Sequence, residues 1–150
     1  MIDKDRIPKE FLPILKSNLK GRSEEINIPP PVFDAMKGEL INYDAEKQTL
    51  LNRFPILNEH LNPYGNMQGG IISAAIDNTI GPLSLLVSPA NFTRHMETKY
   101  GKIVTPDLEN IYVTAIFIKK KKRQLFFEAT VEDKEGNKLA SAKSINWVID

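Results

Sequence analysis

Residues 62 to 77 read NPYGNMQGGIISAAID, a turn-rich loop followed by the beginning of an apolar helix. Asp77 is the one carboxylate in that apolar run. An ionised side chain among Ile and Ala residues has to be solvated, paired or functional, because burying it bare is too costly. Gly69 and Gly70 stand where the helix begins, and free backbone amides there can receive an anion. The stretch therefore predicts a functional helix with an anion-binding start.

The helix is predicted over residues 70–84, because its side chains separate by size when they are placed at 100° steps. Large side chains share one face: Ile72, Ile76, Thr79, Ile80 and Leu83. The opposite face holds small residues around the carboxylate: Gly70, Ser73, Ala74, Asp77, Gly81 and Ser84. Small residues let a ligand or another backbone approach closely. Pro82 has no backbone N–H to donate, so we expect the helix to kink or end near it.

Strands are predicted on both sides of this helix. Two runs before it, 36–43 and 49–54, read as a hairpin. Four longer runs follow it: 93–102, 110–119, 124–133 and 138–149. Long consecutive strands after a single helix imply an antiparallel sheet wrapped around that helix. The predicted fold class is therefore α+β, with about six strands and one long central helix.

The N-terminal part of the chain predicts a further element. Its apolar spacing indicates an amphipathic helix that starts near Pro8 and is bent or split at Pro13. The run of three prolines at 29–31 predicts a stiff extended connector into the main fold. We therefore expect an N-terminal helical extension over residues 1–27 and the main domain over residues 28–150.

Composition and charge exclude several classes of protein. A chain of 150 residues with 41% apolar residues fits one domain with one core. Its 20 Lys and Arg nearly balance its 19 Asp and Glu, so nothing global indicates nucleic-acid or membrane-surface binding. The chain has no cysteine, and its two histidines, His60 and His95, lack metal-site spacing. Because we find no signal-like or membrane-length apolar stretch, we expect a cytoplasmic protein without metal, cofactor or membrane insertion.

Six spaced positions around the helix start carry a resemblance to a known family: Asn62, Gly65, Gln68, Gly69, Gly70 and Asp77. The family signature is Asn-x-x-Gly-x-x-His-Gly-Gly, with an acid nine residues after the His. Together with the order of the strands, this string resembles the hotdog fold. Within that fold it is similar to the acyl-CoA thioesterase branch typified by phenylacetate-degradation thioesterases. The resemblance covers residues 28–149, and Gln68 stands where the family has His.

The resemblance implies hydrolysis of an acyl-CoA thioester. That reaction needs donors for the carbonyl oxygen and a base or nucleophile for the carbonyl carbon. The Gly69 amide can be such a donor, with Gly70 beside it as a substrate-binding residue. The resemblance assigns Asp77 as general base or nucleophile and Asn62 as a residue that bonds or positions the thioester. Gln68 can donate and accept hydrogen bonds but cannot carry a proton near neutral pH.

Basic residues for the CoA phosphates are implied at two places. A run of five charges, residues 119–123, lies between two strands, where such a run is most often a solvated hairpin tip. The resemblance implies that Lys121 and Arg123, together with Lys102, hold the phosphates. Three other side chains stay open. His95 and Tyr100 line the acyl pocket or, more commonly for such residues, pack in a core or interface. Residue 60, the histidine near the motif loop, stays open as a substitute for the missing histidine.

The spacing of the two key residues predicts an assembly. Gly69 and Asp77 are eight residues apart, which on one helix is about 12 Å and too far to reach the same carbonyl. Antiparallel pairing of the helix with its copy about a two-fold axis brings Asp77 of one subunit near Gly69 of the other. We therefore expect a homodimer with two interface sites, or a dimer of such dimers.

Other functions are weighed against this hydrolase. A hotdog dimer that binds acyl-CoA or a fatty acid without turnover is favoured by Gln68 and opposed by Asp77 with Asn62. A purely structural or partner-binding module is a third alternative. A hotdog dehydratase is less favoured, because such enzymes pair an acid with a histidine that is missing at the helix start. The sequence contains neither a phosphate-binding P-loop nor a Gly-x-Ser-x-Gly elbow.

Overall fold

The computed structural model describes residues 1–149 and contains one six-stranded antiparallel sheet. The helices are α1 (Phe11–Leu19), α2 (Pro31–Ala35) and α3 (Gly69–Val87). The strands are β1 (Glu39–Asp44), β2 (Thr49–Pro55), β3 (Asn91–Tyr100), β4 (Asn110–Lys121), β5 (Gln124–Glu132) and β6 (Lys138–Val148). Their order in the sheet is β1-β2-β4-β5-β6-β3, so β1 and β3 are the edge strands.

The central helix packs against one face of the sheet. α3 contacts β2, β3, β4 and β5, and its large residues Ile76 and Ile80 are fully buried. Alternate residues of the strands face it, among them Phe54, Val113 and Phe127, because neighbouring strand side chains point to opposite faces. Full burial of each such aliphatic or aromatic side chain stabilises the fold by about 1.5–3 kcal/mol. The predicted α+β layout, with one long central helix and an additional N-terminal helix, is confirmed.

Pro82 lies inside α3, and the helix continues past it to Val87. The expected helix end near Pro82 is therefore wrong. Proline removes the hydrogen bond that residue 82 would otherwise give to the carbonyl oxygen of Asn78. The buried Asn52 of β2 donates from Nδ2 to that oxygen at 3.2 Å, and to Thr79 Oγ1 at 3.2 Å. The sheet thus supplies the partner that the proline takes away.

Three N-terminal boundaries differ from the sequence prediction. α1 begins at Phe11 rather than near Pro8, and it is not split at Pro13. Pro13 is the third helical residue, and the amides of a first helical turn have no intrahelical partner to lose. Pro31 begins α2, so the extended connector ends at Pro30. The first strand starts at residue 39, not 36, because the residues between them complete and follow α2.

The N-terminal segment packs onto the central helix. Phe11 and Leu19 of α1 are buried in a second cluster with Leu86 of α3. Asn18 Nδ2 donates to the carbonyl oxygen of Leu85 at 2.8 Å. α1 is therefore fixed to the C-terminal half of α3 by apolar contact and by a hydrogen bond. The predicted boundary between an extension and the main domain stays a prediction.

By length and composition, α3 is the one helix within residues 1–149 that could cross a membrane, with a mean hydropathy of 1.4. Half of that stretch is buried inside the protein. The apolar character of α3 is explained by its packing against the sheet, since a core helix passes the same test.

Candidate functional site

Asp77 lies in the middle of α3, half-buried, on the face of small residues. Its Oδ1 accepts a hydrogen bond from Thr93 Oγ1 at 2.8 Å. Thr93 belongs to the edge strand β3, which runs beside α3 and pairs only with β6. Among residues 1–149 no ion pair involves Asp77. The carboxylate is therefore oriented by a hydroxyl and is not neutralised by a cation.

A mainly apolar cavity of about 770 Å³ lies beside Asp77. Its walls come from α3, from β3 and from the N-terminal segment, including Phe11 and Leu15 of α1. Two buried amide side chains, Asn52 and Asn146, add polar groups to the lining. A mostly apolar cavity of this size with a few polar groups is typical of a small-molecule site. Asp77 is the only one of the predicted site residues that lines it.

Two backbone amides at the start of α3 have no acceptor within residues 1–149. The amides of Ile71 and Ile72 donate to the carbonyl oxygen of Gln68, at 3.0 and 3.2 Å. The amides of Gly69 and Gly70 donate to no group in that part of the chain. They stand at the positive end of the helix dipole, where an anion is stabilised. The exposed Gln68 side chain makes no cap for this helix.

The loop before α3 is held by Asn62. Its Oδ1 accepts hydrogen bonds from the amides of Tyr64 and Asn66, at 2.9 and 3.1 Å. Only the Nδ2 group of this side chain is left for a ligand. His60 stands at the other end of the loop, and its carbonyl oxygen accepts the Gln68 amide at 2.9 Å. The His60 Nδ1 atom is buried without a partner among residues 1–149.

Tyr100 covers the first residue of the central helix. Its hydroxyl lies 2.5 Å from Ser73 Oγ, and a Cβ placed on Gly69 would meet its ring at 3.3 Å. The side chain is nevertheless 53% exposed. Neither Tyr100 nor the exposed His95 lines the cavity of this chain. In one subunit, Tyr100 thus packs on the helix start and lines no pocket.

The predicted phosphate-binding residues lie at two ends of the sheet. Lys102 is close to the start of α3, where its amide donates to the carbonyl oxygen of Leu139 at 3.0 Å. Lys121 ends β4 at the opposite end of the sheet. Arg123 follows it and donates from Nη2 to the carbonyl oxygen of Val148 at 2.9 Å. One chain does not bring these three cations together.

The residues of the proposed chemistry are likewise divided along α3. Because Gly69 and Asp77 belong to one continuous helix, their positions are separated by about 12 Å. Gln68, Gly70 and Asn62 lie with Gly69 at one end. A single chain therefore presents a carboxylate beside a cavity and, two helical turns away, a pair of free amides.

An exposed ion pair borders the cavity. Arg6 Nη1 and Nη2 donate to the two carboxylate oxygens of Asp34 at 2.9 and 2.5 Å. The hydrogen bonds from Arg6 hold the pKa of Asp34 below its ordinary value of 3.8. The same contact raises the pKa of Arg6. The pair joins the N-terminal segment to α2, and Arg6 itself lines the cavity.

Sequence reasoning missed Thr93, Asn52 and the N-terminal wall of the cavity. Thr93 carries no signal, since threonine is common in strands. Asn52 does carry one, because it occupies an inward position between Leu50 and Phe54 in an alternating strand. A polar residue at such a position predicts a buried hydrogen bond or a ligand contact. Within residues 1–149, no cluster of three His, Asp or Glu residues could hold a metal ion.

Comparisons with known proteins identify the fold. No family model matches the sequence, and no curated relative matches it. Solved structures do match. A Streptococcus mutans UA159 protein bound to acetyl CoA is 17% identical, with a TM-score of 0.69, over 75% of this chain and 88% of that chain. The PaaI protein from the phenylacetic acid degradation operon of E. coli is 11% identical, with a TM-score of 0.70, over 77% and 86%.

A phenylacetic acid degradation-related protein from Ralstonia eutropha JMP134 is 18% identical to this chain. Its TM-score is 0.74, over 90% of this chain and 99% of that chain. These neighbours are hotdog-fold proteins of the PaaI-like thioesterase superfamily. The chain therefore has the hotdog fold, and the predicted resemblance is confirmed as a similarity of structure.

Proposed function

We propose that this protein hydrolyses an acyl-CoA thioester to the free acid and CoA, at a site completed by two copies of the chain. The observation that carries this proposal is Asp77, which is half-buried at the wall of an apolar cavity and held by Thr93. The names of the structural neighbours support it, since they include a thioesterase-superfamily protein and one bound to acetyl CoA.

The proposed chemistry uses the two ends of the helix face. The free amides at the start of α3, Gly69 foremost, donate to the thioester carbonyl oxygen as it becomes an oxyanion. Asp77 takes a proton from water, whose oxygen attacks the carbonyl carbon, or it attacks that carbon directly. The carbon–sulfur bond then breaks, and CoA leaves as its thiol after protonation.

Two subunits are needed because the base and the donors of one chain are too far apart. The edge strand β3 has no neighbour on its outer side within residues 1–149, and it lies beside α3. An unpaired edge of ten residues is a ready pairing surface. Two-fold pairing along this edge sets the α3 helices antiparallel, with Asp77 near Gly69 of the partner subunit. We infer a homodimer, and a dimer of dimers if the outer faces stack.

The remaining predicted residues have supporting roles in this proposal. Gln68 and Gly70 line the thioester at the helix start, and Asn62 positions it through its free Nδ2 group. Lys121 and Arg123 lie at the Asp77 end of their own sheet, so antiparallel pairing brings them toward Lys102 of the partner subunit. Such a set of cations suits the CoA phosphates. We place this activity in the cytoplasm, without nucleic acid or membrane insertion.

The second candidate function is binding of an acyl-CoA or fatty acid without turnover. Gln68 is the observation that favours it, because a glutamine cannot exchange a proton near neutral pH where the resembling family has a histidine. The arrangement of Asp77 favours the hydrolase. A carboxylate that only filled space would need neither the hydroxyl of Thr93 nor a place beside a cavity.

A thiol-release assay across acetyl-, octanoyl- and phenylacetyl-CoA separates the two functions. We expect the wild type to release CoA and Asp77→Asn to lose about 10²–10⁴-fold in rate, while it keeps its acyl-CoA affinity. Asn is a matched control, since its side-chain oxygen can still accept the Thr93 hydroxyl. Binding of acyl-CoA without release by the wild type would favour the non-catalytic function.

Subunit complementation tests the shared site. Gly69→Pro removes the proposed amide donor, and proline suits the first position of a helix after the extended backbone of Gln68. Asp77→Asn and Gly69→Pro are each expected to be inactive alone. After co-expression about half of the dimers are mixed and hold one intact site, so roughly a quarter of wild-type activity returns. Mixed dimers, detected by native mass spectrometry, that stay inactive would contradict a site shared in this way.

A further inference from the structure

The cavity beside Asp77 has features that bear on which acyl group the protein accepts, an inference that rests on the proposed thioester hydrolysis. Most of its lining is apolar, and one of its walls is the N-terminal segment. This wall belongs to the same chain as Asp77, so the cavity exists before any second copy binds.

Gly81 marks open space directly beyond the carboxylate. It lies one helical turn after Asp77, about 6 Å along α3, on the same face and in the cavity lining. A Cβ placed on Gly81 would meet no atom within 4 Å. By contrast, a Cβ on Gly69 would meet Tyr100 at 3.3 Å. The missing side chain at position 81 therefore leaves a channel from Asp77 into the cavity.

The far wall of this channel is fixed. Phe11 and Leu15 of α1 line the cavity and are buried, and Leu86 of α3 packs with them. The hydrogen bond from Asn18 to Leu85 fixes α1 to α3 beside this cluster. A fixed apolar wall limits how far an acyl chain can extend, and contact with it stabilises a chain long enough to reach it.

We propose that Gly81 and the N-terminal segment determine acyl specificity and select an apolar acyl group of medium-chain or aryl size. The thioester carbonyl lies at Asp77, and the acyl group passes Gly81 toward Phe11 and Leu15. Each methylene buried there improves the specificity constant by up to roughly fourfold. Acetyl-CoA, which cannot reach the wall, is consequently a poor substrate.

The test fills the channel from Gly81. Gly81→Ala and Gly81→Leu place one and four carbon atoms in the open space, and Ser17→Leu adds the same branched group to the exposed side of α1 as a matched control. Specificity constants are measured with acetyl-, butanoyl-, octanoyl- and phenylacetyl-CoA. The last two distinguish a medium-chain from an aryl substrate.

We expect the wild type to prefer octanoyl- or phenylacetyl-CoA over acetyl-CoA by at least tenfold. Gly81→Leu loses that preference, Gly81→Ala loses part of it, and Ser17→Leu keeps it. Gly81→Ala also raises the thermal midpoint, because alanine favours a helix over glycine, so a folded variant is available. A wild-type profile that favours acetyl-CoA, or a profile that Gly81→Leu leaves unchanged, overturns this inference without affecting the hydrolase.

A binding measurement separates this inference from the proposed function. Calorimetric titration of Asp77→Asn with octanoyl-CoA and acetyl-CoA, with and without Gly81→Leu, needs no turnover. If the wild type hydrolyses nothing but Gly81→Leu abolishes a preference for octanoyl-CoA, the acyl channel stands and the hydrolase fails. Equal affinities for the two ligands in the Gly81 background overturn the channel.

Discussion

Thr93 Oγ1 donates to Asp77 Oδ1 at 2.8 Å and so connects the edge strand β3 with the central helix α3. The other carboxylate oxygen accepts no hydrogen bond within residues 1–149. One oxygen of Asp77 is thus held while the second is left for chemistry beside the cavity. A carboxylate with one fixed oxygen has a defined direction, which a general base requires.

Thr93→Val is expected to lower the specificity constant for the preferred acyl-CoA by about tenfold or more, because a hydrogen bond to a charged group contributes about 1.5–3 kcal/mol. Valine has the shape of threonine without its hydroxyl, so the loss reports orientation of Asp77 and not packing. Thr93→Ser is the matched control and keeps most of the activity. Equal rates for Thr93→Val and the wild type, measured by thiol release, would show that this hydrogen bond has no part in turnover.

Patterns that depend on local periodicity predicted the fold well. The alternation along the strands and the large face of α3 led to the correct sheet and central helix. Pro82 misled because its effect depends on tertiary structure: Asn52 on β2, 30 positions earlier, donates to the oxygen that the proline leaves open. Pro13 misled for a local reason, since its position within the helix could not be fixed before the first helical residue was known.

The candidate site was predictable only in part. The spacing from Asn62 to Asp77 placed the free amides and the carboxylate on one helix, as the structure has them. It could not indicate Thr93, because contact between β3 and α3 depends on how the strand returns along the helix. Nor could it indicate that α1 closes a cavity near Gly81, since apolar residues such as Phe11 predict burial but not the partner that buries them.

The start of α3 is tested by a pair of substitutions at Gly69. Gly69→Ala adds a Cβ near the Tyr100 ring but keeps the amide, and we expect a loss of a few-fold as the ring shifts by a few tenths of an ångström. Gly69→Pro also removes the amide donor, and we expect a further loss of about 10²–10³-fold in kcat. Circular dichroism checks that both variants are folded. Similar kcat values for the two variants would exclude this amide as an oxyanion donor.

Acid should release the N-terminal segment through Asp34. Because Arg6 depresses the pKa of Asp34 in the folded protein, the pair stabilises the fold above the ordinary value of 3.8. That contribution is lost as the pH falls through the lowered pKa, when the carboxylate is protonated. Asp34→Asn removes it at every pH. Hydrogen exchange of residues 1–30 is therefore expected to be faster in Asp34→Asn than in the wild type at pH 7, with little difference near pH 2.

High salt is the control for this ion pair. Both side chains are exposed, so screening at about 1 M salt should reduce the difference between wild type and Asp34→Asn at pH 7. A difference in exchange that persists unchanged at low pH would mean that Asp34 holds the segment by something other than its charge.

The bond between Asn52 and the carbonyl oxygen of Asn78 is expected to depend on Pro82. In Pro82→Ala the new backbone amide can donate to that oxygen, so Asn52 is no longer its required partner. A double-mutant cycle should therefore show that Asn52→Leu costs about 1 kcal/mol less in the Pro82→Ala background than in the wild type, measured by urea unfolding. Pro13→Ala is the control, because Pro13 takes no partner from any carbonyl inside α1, and its effect should add to that of Asn52→Leu. Additive effects of Asn52→Leu and Pro82→Ala would mean that the oxygen gains nothing from the new amide, and that Asn52 stabilises the fold through Thr79 instead.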